Sequence, residues 1–165
     1  MDDHAVIHDA FTIERTYPVP PATVFAAFAS AQAKESWGTT EGVEVPEDKG
    51  DDEGANAFDL RIGGHEDFTV AMDGITYRYD ARYYDIVRDC RLVYSYEMYA
   101  GGTRISVSLA TIEFIRREGG TQLVWTEQGA YLDGHDGVDA PALRQGGTAE
   151  MLKGLAVYLT RQSGR

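Results

Sequence analysis

Residues 58–68 read FDLRIGGHEDF, and the pair Gly63-Gly64 followed by His65 is open to three readings. Glycine pairs cradle phosphates, a histidine beside a glutamate opens a zinc motif, and adjacent glycines turn a chain between strands. A phosphate cradle needs GxGxxG or GxxxxGK(S/T) leading into a helix whose N-terminus faces the anion. Neither pattern is present, and the residues that follow, HEDFTVAM, look like a strand. His65-Glu66 begins like HExxH but no second histidine follows, so the zinc-protease pattern fails. The stretch reads as a two-residue hairpin between a second and a third strand, with the glycines supplying positive φ.

Outward from this hairpin, residues 57–132 are nearly all strand-like, with turn signals at Gly63-Gly64, Asp73-Gly74, Arg88-Asp89, Gly101-Gly102 and Gly119-Gly120. Five turns predict six successive strands in an antiparallel meander. Leu92, Tyr94, Tyr96 and Met98 alternate on one face, as do Ile105, Val107 and Leu109, and then Leu123 and Trp125. One face of the sheet is therefore buried, and Ser95, Ser106 and Ser108 are expected opposite the apolar set. With no GxSxG elbow either, serine chemistry has no support.

Upstream, VIHDAFTIERTY (6–17) reads as a first strand stopped by Pro20-Pro21. PATVFAAFA then carries Val24, Phe25 and Phe28 at helical spacing, and Ser30 can cap a second short helix ending near Trp37-Gly38. Downstream, residues 139–162 carry Leu143, Met151, Leu155, Val157, Tyr158 and Leu159, which predicts a long amphipathic helix as the cover for the sheet. No repeat or second core is visible, so residues 1–165 are read as one domain of α+β class.

The balance of 15 basic against 27 acidic residues gives −12, a charge that repels nucleic-acid phosphates and anionic membranes. The single cysteine, Cys90, excludes an internal disulfide and cysteine-rich metal sites. No apolar run approaches membrane-span length, and the reading is a cytoplasmic protein. Residues 41–56, EGVEVPEDKGDDEGAN, carry seven acidic side chains and read as a mobile surface loop. Asp48, Asp51, Asp52 and Glu53 do not follow the spacing of an EF-hand, so no calcium site is assigned. His4 and His8, four apart, lie in a terminal segment whose later part reads as strand, and a frayed terminus accounts for them better than a shared helical face. Asp133, His135, Asp136 and Asp139 are explained by solvation and by the dipole of the helix that follows, without a metal.

The chemistry concentrates near TEQGAYLDGHDG, residues 126–137. By strand alternation Glu127 follows Leu123 and Trp125 inward, where a carboxylate is either satisfied by a partner or shifted in pKa. Tyr77, Tyr79, Tyr83, Tyr94 and Tyr96 crowd the central strands, which suits an amphipathic cavity and ordinary core packing equally.

The order β, α, α, strands and long α resembles the helix-grip fold of the START and birch-pollen-allergen (SRPBCC) superfamily. FTIERTYPVPPATVFAAFAS, Trp37, the Asp-x-Arg-x-Gly-Gly of FDLRIGG and RYYDIVRDCRLVYSYE resemble, within it, the family homologous to the activator of the heat-shock-protein-ninety ATPase. LVWTEQGAYLDGHD followed by RQGGTAEMLKGLAVYL is similar to a bacterial branch of that family. The resemblance implies a curved antiparallel sheet wrapped around the long C-terminal helix, with a cavity between them. It carries no shared catalytic set, because one scaffold hosts carriers, cyclases, hydrolases and chaperone activators.

The leading functional reading is a binding module for a small hydrophobic or aromatic molecule. Its expected walls are Trp37, Tyr77, Tyr83, Tyr94 and Tyr96 together with Trp125, Glu127, Leu143, Met151 and Leu155. A second reading is a cyclase- or hydrolase-like enzyme in which Glu127 or His135 moves a proton. A third, regulation of a chaperone ATPase, comes from the resemblance alone. Eukaryotic activators of that family carry an N-terminal domain for which this chain has no room, so a chaperone partner is not expected. No cofactor or metal is assigned, and a homodimer is left open.

Overall fold

The computed structural model describes residues 4–39, 43–45 and 57–164. Strand β1 (Val6–Tyr17) leads into helices α1 (Pro21–Phe28) and α2 (Ala31–Gly38), which precede β2 (His65–Met72), β3 (Ile75–Val87), β4 (Arg91–Ala100), β5 (Thr103–Arg117) and β6 (Gly120–Leu132). A single 3-10 turn, Gly137–Asp139, opens helix α3 (Ala140–Ser163). The sheet is antiparallel throughout, in the order β1-β6-β5-β4-β3-β2.

The local signals before the sheet act as the sequence predicts. Pro21 occupies the first turn of α1, where its missing N–H costs no helical bond. The Ser30 hydroxyl caps α2 by accepting from the Ala33 N–H. Phe25 and Phe28 then stack edge-on against Phe114 of β5, and Trp37 packs on Phe28 while its indole N–H donates to the Ala27 carbonyl.

FDLRIGGHEDF is a turn, but of a different kind from the predicted hairpin. Residues 57–59 lie antiparallel to 65–67 through a single bridge, Phe58↔Glu66, and form no strand of their own. Five strands therefore follow α2 instead of six. Gly63 takes a positive φ of 81°, whereas Gly64 does not. Gly64 is needed for space, because a Cβ there would collide with the Asp59 carbonyl oxygen. Arg61 Nε donates to Asp59 Oδ2 at 2.6 Å, so the motif's polar residues close their own loop. Of the acidic stretch 41–56, residues 43–45 are described, and Glu44 bridges to Ala71 on the outer edge of β2. Asp48, Asp51, Asp52 and Glu53, weighed for calcium, lie outside the described residues.

Two strand and helix faces differ from expectation. Ile105 is an extra residue of β5 opposite the single step from Met98 to Tyr99 of β4, and this bulge leaves Ile105 and Ser106 buried in succession. Beyond it the inward face of β5 is Ser106, Ser108, Ala110, Ile112 and Phe114, while Val107 and Leu109 point outward. In α3 the buried stripe runs through Pro141, Thr148, Leu152, Leu155 and Leu159, and Leu143 and Val157 are 58% and 50% exposed. The stripe also carries a polar residue, Arg144, so the apolar residues alone give the helix the wrong rotational phase.

Helix α3 packs against α2, β1, α1 and β6, and reaches the aromatic inner face of β4 through Arg144. Two buried contacts hold it there. The Tyr17 hydroxyl of β1 donates to the Leu152 carbonyl, and burial pushes this phenol up to about 12. Gly154 lies so close to α2 that a Cβ would collide with the Trp37 carbonyl oxygen.

The same helix supplies its own control. A Cβ at Gly146 would meet nothing within 4 Å. Gly146→Ala should therefore stabilise the protein by about 0.5–1 kcal/mol through helix propensity. Gly154→Ala should destabilise it by about 1–3 kcal/mol by wedging α2 off α3. Urea unfolding of the two variants measures both signs.

Candidate functional site

The inward residues of β3 and β4 stack across the strand pair. Tyr83 opposes Tyr94, Ala81 opposes Tyr96, and Tyr79 opposes Met98. The rings touch: Tyr79 and Tyr96 centroids are 4.9 Å apart and Tyr83 and Tyr94 are 5.6 Å apart. Burial raises the pKa of each of these four phenols, so all four remain neutral donors at physiological pH.

Glu127 projects into this aromatic interior from β6 and is 1% exposed. Tyr96 donates its hydroxyl proton to Glu127 Oε2 at 2.8 Å, and the Trp125 indole N–H donates to Oε1 at 3.3 Å. From α3, Arg144 Nη1 donates to the Tyr96 hydroxyl at 2.8 Å and stands 3.9 Å from Glu127 Oε2. The guanidinium also donates from Nη2 to Ser106 Oγ at 2.7 Å and from Nη1 to Ser108 Oγ at 3.4 Å, and it lies over the rings of Tyr96 and Tyr131. The Tyr96 hydroxyl is thus polarised from one side and drawn on from the other. Burial raises the Glu127 pKa, and Arg144, Tyr96 and Trp125 oppose that rise. The outcome is a carboxylate held poised by its partners.

A second carboxylate is buried toward the far edge of the sheet. Glu66 of β2, 7% exposed, accepts from Tyr83 OH and from Lys34 Nζ of α2, both at 2.6 Å and both on Oε2. Lys34 lies over the Phe58 ring, so the 58–68 turn covers this pair from outside.

The sequence-derived candidates divide into groups. Tyr83, Tyr94, Tyr96, Trp125 and Glu127 converge on the interior, with Leu155 buried beneath and Met151 half-buried beside them. Trp37 is buried one layer away, between α1, α2 and α3, and meets this group through Phe28, which touches both Trp37 and Trp125. Tyr77 is half-buried at the rim, where Asp73 and Asp136 stand near its phenol. Leu143 faces solvent and forms no wall. His135 stands on the turn before α3, 3.7 Å from Asp136, and no contact joins it to Glu127 among the described residues.

Sequence reasoning missed Arg144, Ser106, Ser108 and Glu66. The spacing 144, 148, 152, 155, 159 on α3 was the available signal for Arg144, and the alternation of Glu66 with Phe68 and Val70 was the signal for Glu66. Among the described residues no group of three or more His, Cys, Asp or Glu side chains could hold a metal, and no helix is long and apolar enough to cross a membrane. Two shallow grooves flank α3, one of about 330 Å³ against α2 and one of about 450 Å³ against β1. Neither contains Glu127 or a tyrosine of β3 or β4, so the charged interior and not the open grooves is where the unusual chemistry lies.

A curved six-stranded antiparallel sheet gripping one long C-terminal helix, with two short helices after the first strand, is a helix-grip domain of the SRPBCC superfamily. Residues 18–160 match the family described as activator of Hsp90 ATPase homolog 1-like protein, and the chain belongs to that family. An uncharacterized protein from Rhizobium leguminosarum is similar at 38% identity and a TM-score of 0.80, covering 96% of this chain and 98% of its own. The Mll3558 protein of Rhizobium loti is similar at 41% identity and a TM-score of 0.77, over 94% and 99%. Protein CV1439 of Chromobacterium violaceum, at 22% identity, 91% and 96% coverage and a TM-score of 0.72, shares the fold. No curated protein matches the chain.

The pairing of Glu127 with Arg144 sets two measurable signs. Arg144→Met removes the cation that lowers the Glu127 pKa, and should cost about 3–5 kcal/mol at neutral pH by stranding a buried carboxylate. That loss should shrink as the pH falls and Glu127 protonates. For the wild type, a folded-state pKa above the unfolded value means the carboxyl's contribution is fully present below the unfolded pKa and is lost as pH rises through the folded one. Wild-type stability should accordingly fall relative to Glu127→Gln as pH is raised from below the ordinary carboxyl value of 4.5, measured by chemical denaturation at each pH.

Proposed function

We propose that the chain binds a small hydrophobic or aromatic molecule between the inner faces of β3 and β4 and helix α3, with Glu127 orienting its polar end. The observation that carries this reading is the buried Arg144, Tyr96 and Glu127 chain beside four stacked tyrosines. Burying an ion pair costs stability that a well-packed apolar pair of the same size would not. A domain that needed only a core would gain by replacing it. Aromatic walls supply affinity for a flat apolar body, and one poised carboxylate supplies direction.

A second reading, proton transfer by Glu127 in a cyclase- or hydrolase-like reaction, is supported by the upward shift of its pKa. One substitution separates the two. Under the binding reading, Glu127→Gln lowers affinity by about tenfold, the loss of a hydrogen bond to a charged group. Under the enzymatic reading it keeps affinity and removes turnover.

The first test is a panel of fatty acids, planar aromatics and their hydroxylated forms, read by thermal shift and by quenching of tryptophan fluorescence, since Trp125 donates to Glu127. Binders should raise the melting temperature and quench the signal. A panel with no stabilising member defeats the binding reading.

A further inference from the structure

We infer that Glu66, held by Lys34 and Tyr83, is a second polar anchor, and that the domain therefore takes an uncharged aromatic molecule with hydroxyl donors at both ends. This deepens the binding reading above and rests on it.

The two carboxylates enter the same interior from opposite parts of the sheet, Glu66 from edge strand β2 and Glu127 from β6. Between them stand Tyr83 and Tyr94, then Tyr96, with ring centroids 5.6 Å and 6.3 Å apart. Tyr94 is buried chiefly by its surroundings, and both Glu127 and Glu66 are near enough to raise its pKa further. The interior is thus a row of packed aromatic rings with a carboxylate at each end.

Its unused hydrogen-bonding capacity has a definite sign. Both partners of Glu66 bind Oε2, and among the described residues none binds Oε1. An ionised carboxylate only accepts, so the free position on Glu66 selects a donor. Lys34 neutralises Glu66 at 2.6 Å, and Arg144 faces Glu127 at 3.9 Å. A charged ligand would enter this balanced interior uncompensated, which disfavours anions and amines alike. At the rim, Asp136 and Asp73 beside Tyr77 add repulsion against a fatty-acid carboxylate. A neutral aromatic body with a hydroxyl at either end meets both carboxylates without adding charge.

The experiment titrates the full chain, by calorimetry, with biphenyl, its para-hydroxy and para,para-dihydroxy derivatives, the same three substitutions on stilbene for longer reach, and dodecanoate. A diol is expected to bind at least about tenfold more tightly than its mono-hydroxy counterpart, the gain of one hydrogen bond to a charged acceptor. Glu66→Gln should remove that gain, so that the diol binds no more tightly than its mono-hydroxy counterpart. Tyr83→Phe keeps the ring and deletes the hydroxyl that orients Glu66, so it should diminish the same gain. Its folded state is checked by circular dichroism, and it decides the matter if Glu66→Gln does not fold. Equal affinity for mono-hydroxy and dihydroxy probes overturns the second anchor while the binding reading stands. A diol advantage that survives in both folded variants overturns it as well. Dodecanoate binding more tightly than every aromatic overturns the ligand class, and no binding by any probe defeats both readings.

Discussion

A guanidinium inside a protein has to be met by acceptors on every side it presents, and Arg144 meets them on three strands at once. It reaches Tyr96 on β4, Ser106 and Ser108 on β5, and Glu127 on β6. These contacts fix the rotational phase of α3, because turning the helix by one residue would strand the charge. The apolar part of the helix follows that phase. Leu152, Leu155 and Leu159 enter the core, and Leu143 is left outside. The curved sheet supplies the complementary constraint, since the bulge at Ile105 of β5 turns two serines of that strand inward to receive the guanidinium.

Around this point the interior is polar without being charged overall. Each carboxylate has a cation facing it and a tyrosine hydroxyl bonded to it, so the same three-part arrangement occurs twice, once through Lys34 and Tyr83 and once through Arg144 and Tyr96. The two sets differ in what they tie down. The first joins α2 to edge strand β2, and the second joins α3 to the middle of the sheet. Networks of this kind specify one geometry of a core at some loss of stability. Here they also leave oriented acceptors along a wall of tyrosines, which is the basis for reading the domain as a receptor for a small molecule and not as a plain scaffold.

Much of the fold is legible in short stretches of the chain. The prolines, the Ser30 cap and the glycine and aspartate turns are local devices, and each acts where the sequence places it. Glu127 is legible too, since alternation with Leu123 and Trp125 needs no partner strand to establish its direction. Ser106 and Ser108 fall on the wrong face by alternation alone, because Ile105, Val107 and Leu109 alternate as well as the true set does. A bulge at Ile105, which only the pairing with β4 defines, decides between the two phases. Arg144 escapes for a related reason: counting apolar residues discards the one charged residue on the buried stripe, although its spacing to Thr148 and Leu152 marks it. The ring of Glu66, Lys34 and Tyr83 joins residues 32 and 17 positions apart on three elements, and no local pattern connects them.

FDLRIGGHEDF shows where the division lies. Sequence alone determined that it turns and that it matches neither a phosphate-cradle nor a zinc pattern, because those patterns require neighbours it lacks. Sequence likewise determined the order of the elements and the class of fold, although the strand expected before Gly63-Gly64 is only a bridge at Phe58. Tertiary structure decided that Gly64 serves close approach rather than positive φ, and that the turn covers the buried Lys34 and Glu66 pair. It also decided which faces of β5 and α3 are buried. Those outcomes depend on register between strands and on the placement of a single buried charge, which are properties of pairs of distant segments and not of either one.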